Sequence, residues 1–190
     1  CVQSMIENSF KFTPVDIAVK LKSWVHDGFK EIGDTVGMGL NGAMNMVINH
    51  PDFLSNPFKS ANDIWHNSGK SLATNGSLMR NCITGVFIST ESCEEWASQL
   101  SLITHTDPRC VTSCVLHALL IQGLLYKHIQ LHEHIDQLLN HAIVCSKKYI
   151  NTDTTPVDFK EMNLQPIITQ PIITQPTITQ PTITQPTITQ

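Results

Sequence analysis

The residues best placed to do chemistry are Thr74-Asn75-Gly76-Ser77-Leu78-Met79-Arg80. Asparagine is a preferred helix cap, glycine lets a ligand approach the main chain, and serine can donate a hydrogen bond. A helix starting there turns its free N–H groups, and the positive end of its dipole, toward whatever lies in front. An anion such as a diphosphate suits that place, and Lys70 in the preceding loop adds positive charge. Other chemistries fail on their spacing. Ser68-Gly69-Lys70-Ser71 ends as a P-loop does, but the first glycine of that motif would fall on Ile64. No G-x-S-x-G elbow for a serine nucleophile is present. His132-Glu133-His134 lacks the second histidine of a metalloprotease helix, because Asp136 stands in its place. His128, His132 and Asp136 stand at i, i+4 and i+8, a set that could line one helical face around a metal. Histidines on a long helix are first of all a polar face, however, and a metal also needs an open position and supporting hydrogen bonds.

Six cysteines stand at 1, 82, 93, 110, 114 and 145, and no two are spaced C-x-x-C. The pattern predicts reduced thiols, several of them acting as small apolar core residues, and lacks the tight pairs of a zinc site. Cys110 and Cys114 share one face of a helix.

The elements that must position these residues read as helices. Val2, Met5 and Ile6 form one helical face with no cap before it, so the chain reads as beginning inside an element. Thr13-Pro14 with Asp16 starts the next helix, with Val15, Ala18, Val25 and Phe29 as its apolar stripe and Trp24 at the edge. Gly28 and Gly33 mark its end. After the Gly37-Met38-Gly39 turn, Leu40, Ala43, Met44 and Val47 share a face of a helix that stops near Asn49, before Pro51. Asn56-Pro57 opens a helix running to Trp65. Asn75 caps another, with Leu78, Met79, Cys82, Ile83 and Val86 apolar. Ser92-Cys93-Glu94-Glu95 reads as a capping box opening a helix that buries Trp96, Leu100 and Ile103. Asp107-Pro108 starts a helical pattern that reaches about Tyr149, broken near Gly123 or in the histidine-rich stretch. No alternating strand pattern precedes residue 164, and about seven helices are expected in an all-α bundle.

From Pro166 to Gln190 the chain is five repeats of Pro-x-Ile-Thr-Gln. Proline every fifth residue forbids a continuous helix, so an extended, disordered tail is expected. The 190 residues carry 12 basic and 16 acidic groups, net −4, and none lies from Gln165 onward. With 41% hydrophobic residues, the first 164 suit one domain: a helical domain over 1–150, a linker over 151–164 and the tail over 165–190. A mildly acidic chain without a basic run is a poor match to phosphate-driven nucleic-acid binding. No apolar run approaches the roughly 18 residues of a membrane span, and no signal-peptide pattern opens the chain. A cytoplasmic location is expected.

Asn75-Gly76-Ser77-Leu78-Met79-Arg80, followed by Thr104-His105-Thr106-Asp107-Pro108-Arg109, resembles the ADP-ribosylglycohydrolase family. The earlier Gly37-Met38-Gly39 turn agrees with it in order and spacing, and Asn49-His50-Pro51-Asp52-Phe53 is similar to its fungal or protist-type members. The resemblance covers roughly residues 1 to 150. It implies a compact orthogonal helical bundle, here truncated at both ends, that cleaves the glycosidic bond joining ADP-ribose to a protein side chain or other acceptor. ADP-ribose or an ADP-ribosylated protein would be the partner. The loop matched by Gly69 to Gly76, with Lys70, Ser71, Asn75 and Gly76 and the adjoining Ser77 and Met79, would cradle the diphosphate and ribose. Gly37, Met38 and Gly39 would approach the distal ribose, and His105 would line the nucleotide pocket.

The resemblance also implies two Mg2+ ions that polarise the substrate and orient the attacking water. Their carboxylates come from an Asp-Asp-Thr/Ser motif, which would lie before Cys1, and from an Asp-x-Asp-Thr/Ser motif near the family's C-terminus. Asp153-Thr154-Thr155 echoes the second, but Asn151 stands where its leading Asp should be. No catalytic residue and no metal ligand is therefore named in this chain. The expectation is no hydrolysis and at best weak ADP-ribose binding. The alternative is a helical scaffold whose exposed apolar faces recruit a protein partner.

Overall fold

Proline at the first helical turn, where its missing N–H costs nothing, sets three of the helix starts in this protein. The computed structural model describes residues 1–36, 39–126 and 132–148. Among them are α1 (Val2–Glu7), α2 (Pro14–Asp27), a 3-10 turn (Lys30–Ile32), α3 (Gly42–Ile48), α4 (Pro57–Asn67), α5 (Gly76–Phe87), α6 (Thr90–Leu102), α7 (Pro108–Leu125) and α8 (His132–Ser146), with no strand among the described residues. They belong to one unit, Cys1–Thr155. The repeat tail and the expected linker lie outside the described residues.

Contacts along the second half fix its topology. Thr74, Ser77 and Gly85 meet Cys110, Cys114 and Ala118 in that order, so α5 and α7 run parallel. Between them α6 runs back, with Asn81 against Ala97 and Arg80 against Leu100. Thr112 meets Ser146 across 2.8 Å, so α8 is antiparallel to α7. Cys93, Ala97, Val115, Ala118, Leu119, Ala142 and Cys145 form the core of this four-helix half. The first half contributes a second core of Ile17, Ala18, Leu21 and Val25 from α2, Met44, Val47 and Ile48 from α3, Phe53 and Ala61, closed by Leu100 and Ile103 of α6. Phe12 stacks edge-on against Trp96 at 5.0 Å, beside Met5 and Ile88.

Several local expectations shift. Helix α3 begins at Gly42, not Leu40, because Asn41 caps it by accepting the Met44 N–H at 2.8 Å. Helix α6 begins at Thr90 behind Ser89, so Ser92 and Glu95 lie inside its first turns rather than forming a capping box. The buried face of α2 is Ile17, Ala18, Leu21 and Val25, while Val15 and Phe29 are exposed. In α5 the buried face is Ser77, Asn81, Thr84 and Gly85, and Met79 is 70% exposed. Small polar residues take that face because α5 and α7 approach too closely for larger ones: a Cβ on Gly85 would stand 2.4 Å from the Ala118 carbonyl oxygen. Helix α7 is long and apolar enough to cross a membrane by composition, with mean hydropathy 1.3 over Pro108–Leu125. Thr112, Ser113, His117 and Gln122 interrupt it, so it holds no continuous apolar run of that length. Half of it is buried, as befits the core helix that α5, α6 and α8 surround.

Candidate functional site

The start of α5 is held from behind. Cys110 Sγ donates to the Thr74 carbonyl at 3.4 Å, and Cys114 Sγ to Ser77 Oγ at 3.5 Å. Burial pushes the Cys110 thiol up to about 12, so it stays protonated and able to donate. The shared face expected for these two cysteines thus anchors the loop. All six cysteines are free thiols. Ser77 is buried against α7 and turns its side chain inward, leaving its main chain at the helix start.

In front of that start, Asn41, Gly76 and His105 converge. A Cβ on Gly76 would lie 3.0 Å from Asn41 Nδ2 and 3.2 Å from His105 Cε1. Glycine is required there by the close approach of two side chains, not by its backbone angles. His105 is buried and bonded at both ring nitrogens, Nδ1 to Thr104 Oγ1 and Nε2 to Thr74 Oγ1, each at 2.7 Å. Arg80 Nη2 donates to Thr104 Oγ1 at 2.5 Å and to the Leu100 carbonyl at 2.9 Å, and Nη1 donates to the Gly76 carbonyl at 3.1 Å. Thr104 Oγ1 accepts from Arg80, which leaves its own hydrogen for Nδ1, and Nε2–H then donates to Thr74.

Among the described residues Arg80 is a cation without a carboxylate partner. It rests on the Leu100 carbonyl at the negative end of α6, and its Nε is buried with no hydrogen-bond partner among the described residues. Burial lowers its pKa to about 10. The same burial, with the Arg80 charge next in weight, pushes His105 down to about 3, so the imidazole is neutral. Protons then bind the unfolded chain, whose histidine titrates near 6.5, more readily than the folded one. Stability is complete above that pH and falls as pH drops through the window toward 3. Between pH 7 and pH 5 the parent should lose about 2 kcal/mol more than a His105→Gln variant, read from denaturant midpoints. Equal losses would show that the ring titrates freely.

The loop before α5 carries Gly69 and Lys70, both with positive φ (68° and 60°). Lys70 Nζ lies 5.6 Å from the centre of the Trp65 ring. The Trp65 indole donates to Asp107 Oδ2 at 3.1 Å, and Asp107 also accepts from Arg109 Nε at 2.9 Å and from the Arg109 N–H that starts α7. Ser71 donates to the Ser68 carbonyl at 2.8 Å and is exposed. Asn75 stands at the cap position of α5, but its exposed side chain makes no capping bond. Gly39 is exposed with φ 78°. Gly37 and Met38 lie outside the described residues.

The structure therefore gathers Gly76, His105, Thr74 and Arg80, with Lys70 on the adjoining loop and Met79 and Asn75 facing solvent. Next to them, Ala43, Val47, Ile64, Trp65, Leu72 and Thr106 line a gap too narrow for a ring. Thr106 Oγ1 is buried there without a partner among the described residues. Asn41 escaped the sequence reading. Its signal was a cap residue followed by Gly42-Ala43, and nothing local says that the cap touches a loop 35 positions away.

Asp34, Asp52 and Asp107 are each engaged by a neighbour rather than turned together as a divalent-ion pair would need. Asp34 accepts the Trp24 indole N–H at 2.9 Å, Asp52 pairs with Lys59 at 3.0 Å, and Asp107 is bound as above. Asp153 lies outside the described residues.

Residues 1–170 match the family model described as ADP-ribosylglycohydrolase. Neither a curated protein nor a solved structure gives a match.

Proposed function

The chain belongs to the ADP-ribosylglycohydrolase family, and from that premise we propose that the front of α5 receives the ADP-ribosyl group of a substrate. The relationship is to metal-dependent hydrolases that act on ADP-ribosylated partners. The observation that carries the proposal is the start of α5 at Gly76, beside Arg80, a cation that has no carboxylate partner among the described residues. A diphosphate supplies the missing negative charge. Asn75 and Ser71 offer side-chain donors, Lys70 adds a cation at the rim, and Met79 offers apolar contact to a ribose or base. Ser77 contributes its main chain. His105, neutral and bonded on both sides, positions Thr74 rather than moving a proton.

These residues bind and orient. Bond cleavage in the family needs metal-holding carboxylates, magnesium being the ion proposed, and the acidic groups described above are committed elsewhere. Incubated with a mono-ADP-ribosylated protein and Mg2+, the chain is expected to release ADP-ribose no faster than buffer does. Magnesium-dependent turnover would contradict binding without cleavage. A reducing compartment such as the cytoplasm suits the six free thiols. A second reading, contact with a protein partner, is favoured by exposed Phe87, Leu124 and Leu125 where the ends of α5 and α7 meet. Substituting Asn75 and Gly76 separates the two, because only the first reading ties affinity to those positions.

A further inference from the structure

At the far end of α6, one turn into the helix, Glu94 faces two residues of α8, His141 and Cys145. The ligand atoms of all three lie within 4.8 Å of one another. His141 Nε2 is 3.4 Å from Cys145 Sγ and in hydrogen-bond contact with Glu94 Oε1. His141 and Cys145 stand at i and i+4, which puts both on the same face of α8. We propose that Glu94, His141 and Cys145 form a zinc site that ties α8 to α6.

The ligand set selects the ion. A thiolate, an imidazole and one carboxylate suit zinc, whereas Mg2+ and Ca2+ require all-oxygen shells. The spacing suits it too. With Zn–S near 2.3 Å and Zn–N near 2.0 Å, a tetrahedral site places sulfur and nitrogen about 3.5 Å apart. The His141–Cys145 separation already meets that. Glu94 has only to move back from the imidazole by less than about an ångström to reach the corresponding position. Its side chain is half-buried, 24% exposed, and has room to do so. Cys145 sits at 2% exposure on a floor of Ala142, Cys93, Ala97 and Leu119, which shields the sulfur from water. His141 is exposed, so the fourth position opens to solvent and takes a water. The metal displaces the proton that Cys145 otherwise keeps.

Sequence spacing did not expose this site, since it holds a single cysteine and its third ligand, Glu94, lies 47 positions from His141. It also differs from the His128, His132 and Asp136 set, of which His128 lies outside the described residues. About 15 Å of helix separates Glu94 from the Thr104-His105 end of α6, so the zinc site and the ADP-ribosyl site stand or fall separately.

The test uses the full 190-residue chain and two metals. The parent should retain one zinc per chain after desalting, and Co2+ in its place should give a thiolate-to-cobalt charge-transfer band. Cys145→Ser should abolish the band. His141→Gln, a change at an exposed position, should weaken zinc binding roughly tenfold or more and remove the rise in thermal midpoint that zinc gives the parent. A His26→Gln control should bind as the parent does. Cobalt binding without the thiolate band, equal zinc affinity in parent and His141→Gln, or no zinc retained at all would each overturn the assignment.

Discussion

Gly85→Ala should lower the unfolding free energy by about 3 kcal/mol, although alanine is the better helix former by nearly 1 kcal/mol. The new methyl would meet the Ala118 carbonyl oxygen at 2.4 Å, Ile121 Cβ at 3.0 Å and Ile121 Cγ2 at 3.1 Å. The first is main chain inside α7 and cannot rotate away, so α5 and α7 must separate along their whole contact. That separation breaks the Cys110–Thr74 and Cys114–Ser77 anchors as well, and with them the shape of the loop in front of α5. Gly42→Ala is the control, because nothing lies within 4 Å of its Cβ position. It should leave stability unchanged or slightly raised. If Gly85→Ala unfolds at the same denaturant concentration as the parent, the parallel contact of α5 with α7 is wrong.

Asp107→Ala should cost about 3–4 kcal/mol. Its side chain is 2% exposed and accepts from the Trp65 indole, the Arg109 guanidinium and the Arg109 main-chain N–H in the first turn of α7. Alanine leaves the indole N–H buried and unpaired, and removes a helix cap worth about 1 kcal/mol. Arg109 adds little to this sum, since it is 44% exposed and water screens its charge. Asp107→Asn keeps an acceptor for the cap and should lose about half as much. Urea denaturation at pH 7 checks both. A loss below about 1 kcal/mol for alanine would mean that Trp65 finds another partner, and that the Lys70 loop is held by something else.

Helix starts were the most legible part of the chain, because Thr13-Pro14, Asn56-Pro57 and Asp107-Pro108 combine a cap with a residue that fits only the first turn. Buried faces were less so. Apolar periodicity pointed to Leu78, Met79 and Val86 in α5, whereas the close α5–α7 crossing buries Ser77, Asn81, Thr84 and Gly85. Such a face carries no hydrophobic signal, since its residues are chosen for size and for the bonds they make, as Asn81 to the Ala97 carbonyl at 2.9 Å. The site was legible as a motif and as a helix start at Asn75, and the fold adds what touches it. Arg80 stands in the motif as one more charged residue, and only the return of α6 shows that its guanidinium is buried on Leu100 and Thr104. His105 stands in its own motif, but its contact with Gly76 and Thr74 spans some 30 residues and had no local sign.

The central claim is that an ADP-ribosyl group sits against the start of α5 at Gly76. Calorimetric titration with ADP-ribose of the parent and of Gly76→Val, each with its thermal midpoint recorded, tests it most directly. The atoms a larger residue would meet at position 76 are side-chain atoms, Asn41 Nδ2 and the His105 ring, rather than main chain, so the variant should still fold, at a lowered midpoint, while its side chain obstructs the start of α5. The parent should bind one ADP-ribose with saturable heat, and Gly76→Val, titrated well below its own midpoint, should lose at least about tenfold in affinity, a difference of about 1.4 kcal/mol. Equal affinity in the two proteins, or no binding by the parent, would contradict the account.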